Sequence, residues 1–306
     1  MDNIKIFFSG TDQVYRVEKI FKKKYNIKTL NDKSEKNNKY INLLKDIYKI
    51  SKANILYTTF WGIPCKKNSV YLKIAKLLNK KVVCHWIGSD VLEALKNPKE
   101  TIKLQKYIDI NLTGSELLKS ELLELGIKSN VENIILDDIS IINNSTKLQE
   151  HGVLVYLPTG KEEFYGGKFI QKLAIEFPKI NFYIVANTNK NYLKELRNIK
   201  NIGKVSLKEM ENIYNKISIL IRIPEHDGLS LMLLEALARG KEVIYKYDHP
   251  YTKKATNYSE LKRQFEKIIG TLPKYNIEAV NYIEQNYKSD NYIENLHNMF
   301  KELIGE

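Results

Sequence analysis

The chain has 306 residues, 43% hydrophobic and 28% charged, a length that predicts two domains and a composition that excludes disorder. Its two cysteines, Cys65 and Cys84, stand far apart with no Cys-x-x-Cys and no Cys/His cluster at ligand spacing, which predicts a reducing compartment and no structural metal. The net charge of +13 rests almost wholly on scattered lysines, 26 Lys+Arg against 17 Asp+Glu in residues 1–150 and 23 against 19 in 151–306, with no arginine-rich or aromatic-interleaved stripe, so nucleic acid is not an expected partner.

From the N-terminus, a strand-like run enters at once at 4–8, without the basic region, apolar segment and cleavage site of a signal peptide. Short β-branched or apolar runs then alternate with amphipathic stretches of helical length, the pattern of parallel sheets with helical crossovers. In the first half, strands are predicted at 5–9, 26–30, 54–59, 81–86, 108–113 and 133–136. Helices are predicted near 14–24, 39–51, 69–78, 98–106 and 115–125, the last closed by Gly126. The polar run 139–152, with Asn143-Asn144-Ser145-Thr146 at its middle, breaks the alternation and predicts a linker. The second half restarts with strand 152–157, helix 168–176, strand 181–185, helix 207–215, strand 218–223, helix 230–239 and strand 242–247, and ends in helical segments 259–269 and 277–303. No apolar stretch approaches the roughly 18 residues a membrane span needs. The expected organisation is α/β with two doubly wound, Rossmann-like domains: 1–140, a linker at 141–151, 152–285, and a terminal helix over 286–306 that packs back toward the first domain. In such sheets ligands sit outside the carboxyl ends of the strands.

The most informative stretch is 219–244, ILIRIPEHDGLSLMLLEALARGKEVI. A buried strand ends at Ile223, a turn follows at Pro224 to Gly228, a helix starts near Ser230, and Gly240 stops it. The backbone N–H groups at Gly228, Leu229 and Ser230 are a natural seat for a diphosphate, and Gly228 is read as allowing close approach. Glu235 has Leu231, Met232 and Ala238 as helical neighbours. A carboxylate on an apolar face is costly unless hydrogen-bonded, and two ribose hydroxyls would satisfy it. The plainer reading is a surface pair with Arg239 at i+4. Asp227 likewise reads either as a ligand contact or as a simple turn residue.

Asp227-Gly228, six further residues, then Glu235-Ala236-Leu237-Ala238-Arg239-Gly240 and Val243-Ile244 resembles the signature of family 4 glycosyltransferases, with Asp in place of the family's first Glu. The run Asn201-Ile202-Gly203-Lys204-Val205 resembles the family's preceding strand. The resemblance implies a GT-B fold, two Rossmann-like domains facing across a cleft, and a retaining, metal-independent, nucleotide-sugar-dependent hexosyltransferase. Asp227 would contact donor sugar hydroxyls and Glu235 the ribose. A UDP- or GDP-sugar would be substrate rather than cofactor, and the acceptor a glycan, a lipid-linked molecule or another hydroxyl. No Asp-x-Asp occurs, which argues against a metal-dependent GT-A design. The family's phosphate-binding Arg and Lys-Gly meet Thr159 and Tyr165 here, so Lys161 is the nearest replacement cation, with Lys168 and Arg222 as others. Gly166 matches the family's glycine. Gly10, in Ser9-Gly10-Thr11, corresponds to a glycine loop near donor and acceptor, although such glycines are common in βα turns. His85 matches a histidine facing the reacting sugar, against a plain structural histidine. Asp90 reads as a helix cap before it reads as an acceptor contact. No protein nucleophile is assignable. The implied location is cytoplasmic, with peripheral attachment to the anionic inner face of the membrane. A non-catalytic GT-B partner subunit and a nucleotide-sugar epimerase or hydrolase share the pattern.

Overall fold

The structure is a computed structural model that describes residues 4–10, 12–25, 39–59, 66–132 and 151–305. Two compact units divide the chain, Met1–Asp138 with Tyr287–Glu306, and Ile139–Asn286. The first unit runs β1 (Ile6–Ser9), α1 (Asp12–Tyr25), α2 (Lys39–Lys52), β2 (Ile55–Thr59), α3 (Lys66–Leu77), β3 (Lys81–Trp86), α4 (Ser89–Lys96), α5 (Pro98–Gln105), β4 (Ile110–Thr113), α6 (Glu116–Glu124) and β5 (Asn130–Val131). Its strands pair in parallel in the order β1-β2-β3-β4-β5. Every residue of β2 is buried, as expected of a strand covered on both faces. Alternate residues serve alternate layers: Phe7, Leu56, Val82 and Trp86 face one core with Tyr71 and Leu118. Ile6, Phe8, Tyr57 and Val83 face the other with Phe21.

The second unit runs β6 (Gly152–Tyr156), α7 (Gly167–Glu176), β7 (Asn181–Val185), β8 (Ile199–Gly203), α8 (Leu207–Tyr214), β9 (Ile219–Arg222), α9 (Leu231–Ala238), β10 (Glu242–Tyr245), β11 (Lys253–Lys254), α10 (Tyr258–Ile269) and α11 (Ile277–Asn286). Its six parallel strands lie in the order β11-β10-β9-β6-β7-β8. One core joins Val153, Phe182, Ile219 and Ile244 to Leu173 on α7 and Phe265 on α10. The chain then returns to the first unit as α12 (Ser289–Ile304), whose Tyr292, Ile293, Leu296 and Phe300 pack with Phe8, Phe21 and Tyr57.

The helical segment expected over 277–303 is two helices. Lys288 is extended (φ −68°, ψ 128°) and N-caps α12, at the point where the buried stripe changes partner from the second unit to the first. Helix α4 and strand β11 were not anticipated by periodicity. The strands expected at 26–30 and 133–136 lie outside the described residues, as does all of the expected linker except His151.

Candidate functional site

The winding of the second sheet reverses between β6 and β9. From β6 the chain steps outward to β7 and β8, and from β9 it steps the other way to β10 and β11. At such a switch point, loops leaving neighbouring strands diverge and open a crevice at the carboxyl edge. The loop after β6 carries Lys161 and Gly166, and the loop after β9 carries Asp227, Gly228, Leu229 and Ser230. The Glu225 N–H donates to the Phe164 carbonyl at 2.7 Å and ties the two together.

Arg222, the last residue of β9, donates from Nε to Asp227 Oδ2 at 2.5 Å and from Nη2 to Oδ1 at 3.0 Å. Both side chains are nearly inaccessible, 10% and 8% exposed. The guanidinium lies over the rings of Tyr156 and Tyr165, at 5.7 and 5.5 Å, and those rings meet edge to face. Tyr245, at the end of β10, also hydrogen-bonds Asp227, and burial drives the pKa of its hydroxyl upward. Asp227 is therefore more than a turn residue: it closes a bidentate, aromatic-walled ion pair that fixes the turn to two strands. Arg222 is committed to that pair and is not a spare cation.

Glu235 lies on the second turn of α9, half-buried between buried Leu234 and Ala236. Tyr214, buried on α8, donates its hydroxyl to Glu235 Oε2 at 2.9 Å. Arg239 pairs with Glu211, donates to the Glu235 carbonyl at 2.9 Å and lies 4.5 Å over the Tyr214 ring. The carboxylate expected to await ribose hydroxyls thus already has one protein donor that aims it. At the start of α9, Ser230 N-caps with extended backbone and no side-chain cap bond. The left-handed residue of this turn is Leu229 (φ 85°), not Gly228. A buried non-glycine residue held there stores local strain, so the turn is shaped by packing around Leu229 rather than by glycine's freedom at 228.

Gly166 is left-handed (φ 80°) and N-caps α7; a Cβ there would come within 2.8 Å of Ile223, so glycine is required by the seam between the two loops. Lys161 is exposed on its loop. Lys168 pairs with Glu163 at 2.9 Å. Thr159 accepts from the Thr188 N–H at 2.7 Å.

In the first unit, Gly10 (φ 159°) follows β1, and a Cβ on it would lie 2.6 Å from Thr59 Oγ1 and 2.8 Å from Val14. Close packing against the end of β2 accounts for the glycine. His85 lies on β3 beside Thr59, 5% exposed, with Nδ1 2.6 Å from the Tyr57 hydroxyl. Burial pushes its pKa down to about 4, partly offset by the backbone of Glu132. Asp90 accepts from the N–H groups of Ile87, Gly88 and Val91 and so holds the turn after β3; burial pushes its carboxyl up to about 6 against those donors. Among the described residues no group of three or more His, Cys, Asp or Glu is placed to hold a metal ion.

Sequence reasoning missed the tyrosines: Tyr57, Tyr156, Tyr214, Tyr245 and Tyr292 all touch a candidate residue or its partner. The only signal was their number, 20 in the chain, and the habit of strand ends to carry site residues.

No family model and no curated protein matches the sequence. Among solved structures the chain is similar to sucrose-phosphate synthase from Thermosynechococcus elongatus, at 8% identity and a TM-score of 0.67 over 99% of both chains. It is similar to TarM at 12% identity and a TM-score of 0.64, covering 85% of this chain and 58% of that one. It is similar to the pneumococcal O-GlcNAc transferase GtfA in complex with UDP and GlcNAc at 12% identity and a TM-score of 0.59, covering 82% of this chain and 57% of that one. The chain thus spans a little under three fifths of the length of TarM and GtfA. At these identities the likeness shows the fold alone: α/β, with two parallel sheets and flanking helices.

Proposed function

We propose that the chain is a retaining, metal-independent glycosyltransferase of the family 4 kind that moves a sugar from a nucleotide-sugar donor to a hydroxyl of a glycan or lipid-linked acceptor. The observation that carries this reading is the placement of Asp227 and Glu235 on either side of one strand-turn-helix junction at the switch point of the second sheet. A carboxylate offers about four acceptor sites. Arg222 and Tyr245 take part of the capacity of Asp227, leaving room for one sugar hydroxyl in a fixed orientation. Glu235, aimed by Tyr214, accepts from the ribose. The amides at 228–230 and the ammonium of Lys161 meet the diphosphate and neutralise charge as it leaves. The sugar passes through an oxocarbenium-like state in which the departing phosphate and the acceptor share one face. The UDP and GlcNAc bound by GtfA favour a UDP-sugar among the candidate donors.

Attachment to an anionic membrane surface at the inner face of the cell is part of this reading. On α2 the side chains of Ile41, Leu44 and Tyr48 are exposed at helical spacing, with exposed Lys45 and Lys52 beside them, an arrangement that suits an interfacial helix. A second reading keeps the fold and removes the chemistry: a non-catalytic partner of another transferase, favoured by Thr159 and Tyr165 where the family has its phosphate-binding cations.

The test is incubation with UDP-sugar, with and without acceptor glycans. The proposal expects transfer, lost in Asp227→Asn and Glu235→Ala while folding persists. Full activity in both variants rejects the site. Free sugar or an epimer without acceptor points to hydrolase or epimerase, and failure to bind any nucleotide sugar points to the partner role.

A further inference from the structure

Arg222 and Asp227 meet along an edge and not at a point. Nε donates to Oδ2 at 2.5 Å and Nη2 to Oδ1 at 3.0 Å, so one side of the guanidinium lies along both carboxylate oxygens. Each of those oxygens has two lone pairs, one converging with its counterpart across the front of the carboxylate and one diverging to the side. Two parallel N–H groups that reach both oxygens use the convergent pair. The divergent pair remains, and its two members point apart on opposite flanks of the group.

The clamp is built so that neither partner can step aside. Arg222 ends β9, which lies between β10 and β6 in the middle of the second sheet. Its guanidinium lies over the rings of Tyr156 and Tyr165, which themselves meet edge to face. The two side chains are 10% and 8% exposed. Swinging either one away leaves a desolvated charge without its partner, so the clamp stands when a ligand enters.

Two hydroxyls on neighbouring carbons of a sugar ring are spaced much like the two N–H groups of a guanidinium edge, and chelating both on one carboxylate needs the same convergent lone pairs. Arg222 already occupies them. We infer that Arg222 is a specificity-determining residue of the donor-sugar site: it restricts Asp227 to one sugar hydroxyl, accepted on a divergent lone pair, and the chain therefore takes nucleotide hexoses that are epimeric or deoxygenated at the neighbouring position with similar affinity. A single sugar ring lies on one flank of the carboxylate and reaches only one of the two remaining lone pairs. Arg222 acts through Asp227 and is a positioning residue. The inference rests on the reading that Asp227 contacts the donor sugar.

The test is calorimetry of the full chain with the tightest binder among UDP-glucose, UDP-N-acetylglucosamine and GDP-mannose, and with the 3-, 4- and 6-deoxy analogues of that sugar. Wild type, Asp227→Asn and Arg222→Lys are compared. A hydroxyl is coupled to Asp227 when deleting it weakens binding less in Asp227→Asn than in the wild type. The expected wild type has one coupled hydroxyl, whose deletion weakens binding at least about tenfold, against about threefold in Asp227→Asn, whose amide oxygen accepts without charge. In Arg222→Lys the ammonium occupies a point and not an edge, and deletion of a second hydroxyl is expected to weaken binding about fivefold or more. Two coupled hydroxyls in the wild type, or an unchanged profile in a folded Arg222→Lys, overturns the inference; if that variant does not fold, the wild-type count decides alone. No coupled hydroxyl in a chain that binds the parent sugar overturns the inference and the role of Asp227 but leaves the nucleotide-sugar reading standing. Binding of none of the three parent sugars rejects that reading and the inference with it.

Discussion

A buried guanidinium that loses its carboxylate keeps its charge, and this sets the expected behaviour of the Arg222–Asp227 pair. Asp227→Ala leaves Arg222 desolvated between Tyr156 and Tyr165, a loss of about 3–5 kcal/mol in unfolding free energy. Asp227→Asn, which keeps acceptor and shape, loses less. Urea unfolding of the two variants checks this ordering, and equal destabilisation would mean the pair is not closed as described. It also means that inactivity in Asp227→Ala is poor evidence for a catalytic acid, whereas inactivity in a folded Asp227→Asn is informative. Tyr214→Phe removes one donor from Glu235 and is expected to weaken nucleotide-sugar binding by about 5- to 10-fold, the net scale of one ordinary hydrogen bond, read by calorimetry. At this scale the sequence was legible for Glu235 because an acid among leucines demands a partner. It was silent on Tyr214 and Tyr245, because which hydroxyl reaches which carboxylate depends on strand and helix neighbours that periodicity does not reveal. Leu229 was illegible for a related reason: glycine advertises a left-handed backbone, and a leucine forced into one does not.

Elements were readable wherever one repeating pattern governed them. β3 runs from Lys81 to Trp86 and β7 from Asn181 to Val185, as the apolar runs imply. Periodicity failed at residues 287–288, where the helical pattern continues although its packing partner changes. The loop seam has its own test. Gly166→Ala forces a side chain into a left-handed conformation and into Ile223, and is expected to destabilise the chain by about 2 kcal/mol, whereas Gly160→Ala, left-handed but facing open space, loses about 1 kcal/mol. Thermal unfolding of the two glycine variants separates the steric part from the conformational one. β3 and the turn after it carry opposed pH responses. The folded pKa of His85 is lowered from 6.5 to about 4, so burying the neutral ring contributes stability present above pH 6.5 and lost as pH falls toward 4, about 3 kcal/mol in all. Asp90 is raised from 3.8 to about 6, so its burial is unfavourable above pH 6 and is relieved over nearly the same window as pH falls, by a similar amount, about 3 kcal/mol. The two nearly cancel in the wild type. Asp90→Asn should expose the His85 term as a fall in melting temperature between pH 6.5 and 4, steeper than that of the wild type; a parallel curve would contradict the assignment.

For the whole molecule, the alternation of strand and helix announced two parallel α/β sheets, and the second sheet's order explains why Lys161, Gly166 and Asp227 share one edge despite their distance in sequence. That order was not written in any local pattern, since it depends on which side of β6 the chain places β9. No described helix is long and apolar enough to cross a membrane. The surface attachment proposed through the exposed stripe on α2 has its own expected outcome: sedimentation with phosphatidylglycerol vesicles, weakened by salt and by Leu44→Asp, with no sedimentation with neutral vesicles. Sedimentation unaffected by Leu44→Asp would remove α2 from the account. The most direct test of the central claim is ligand-observed NMR of UDP-, GDP- and ADP-sugars with the purified chain. The account predicts saturation transfer to the ribose and uracil protons of a UDP-sugar in the wild type and its loss in a folded Glu235→Ala. Binding of equal strength in that variant, or none with any nucleotide sugar in the wild type, would contradict it.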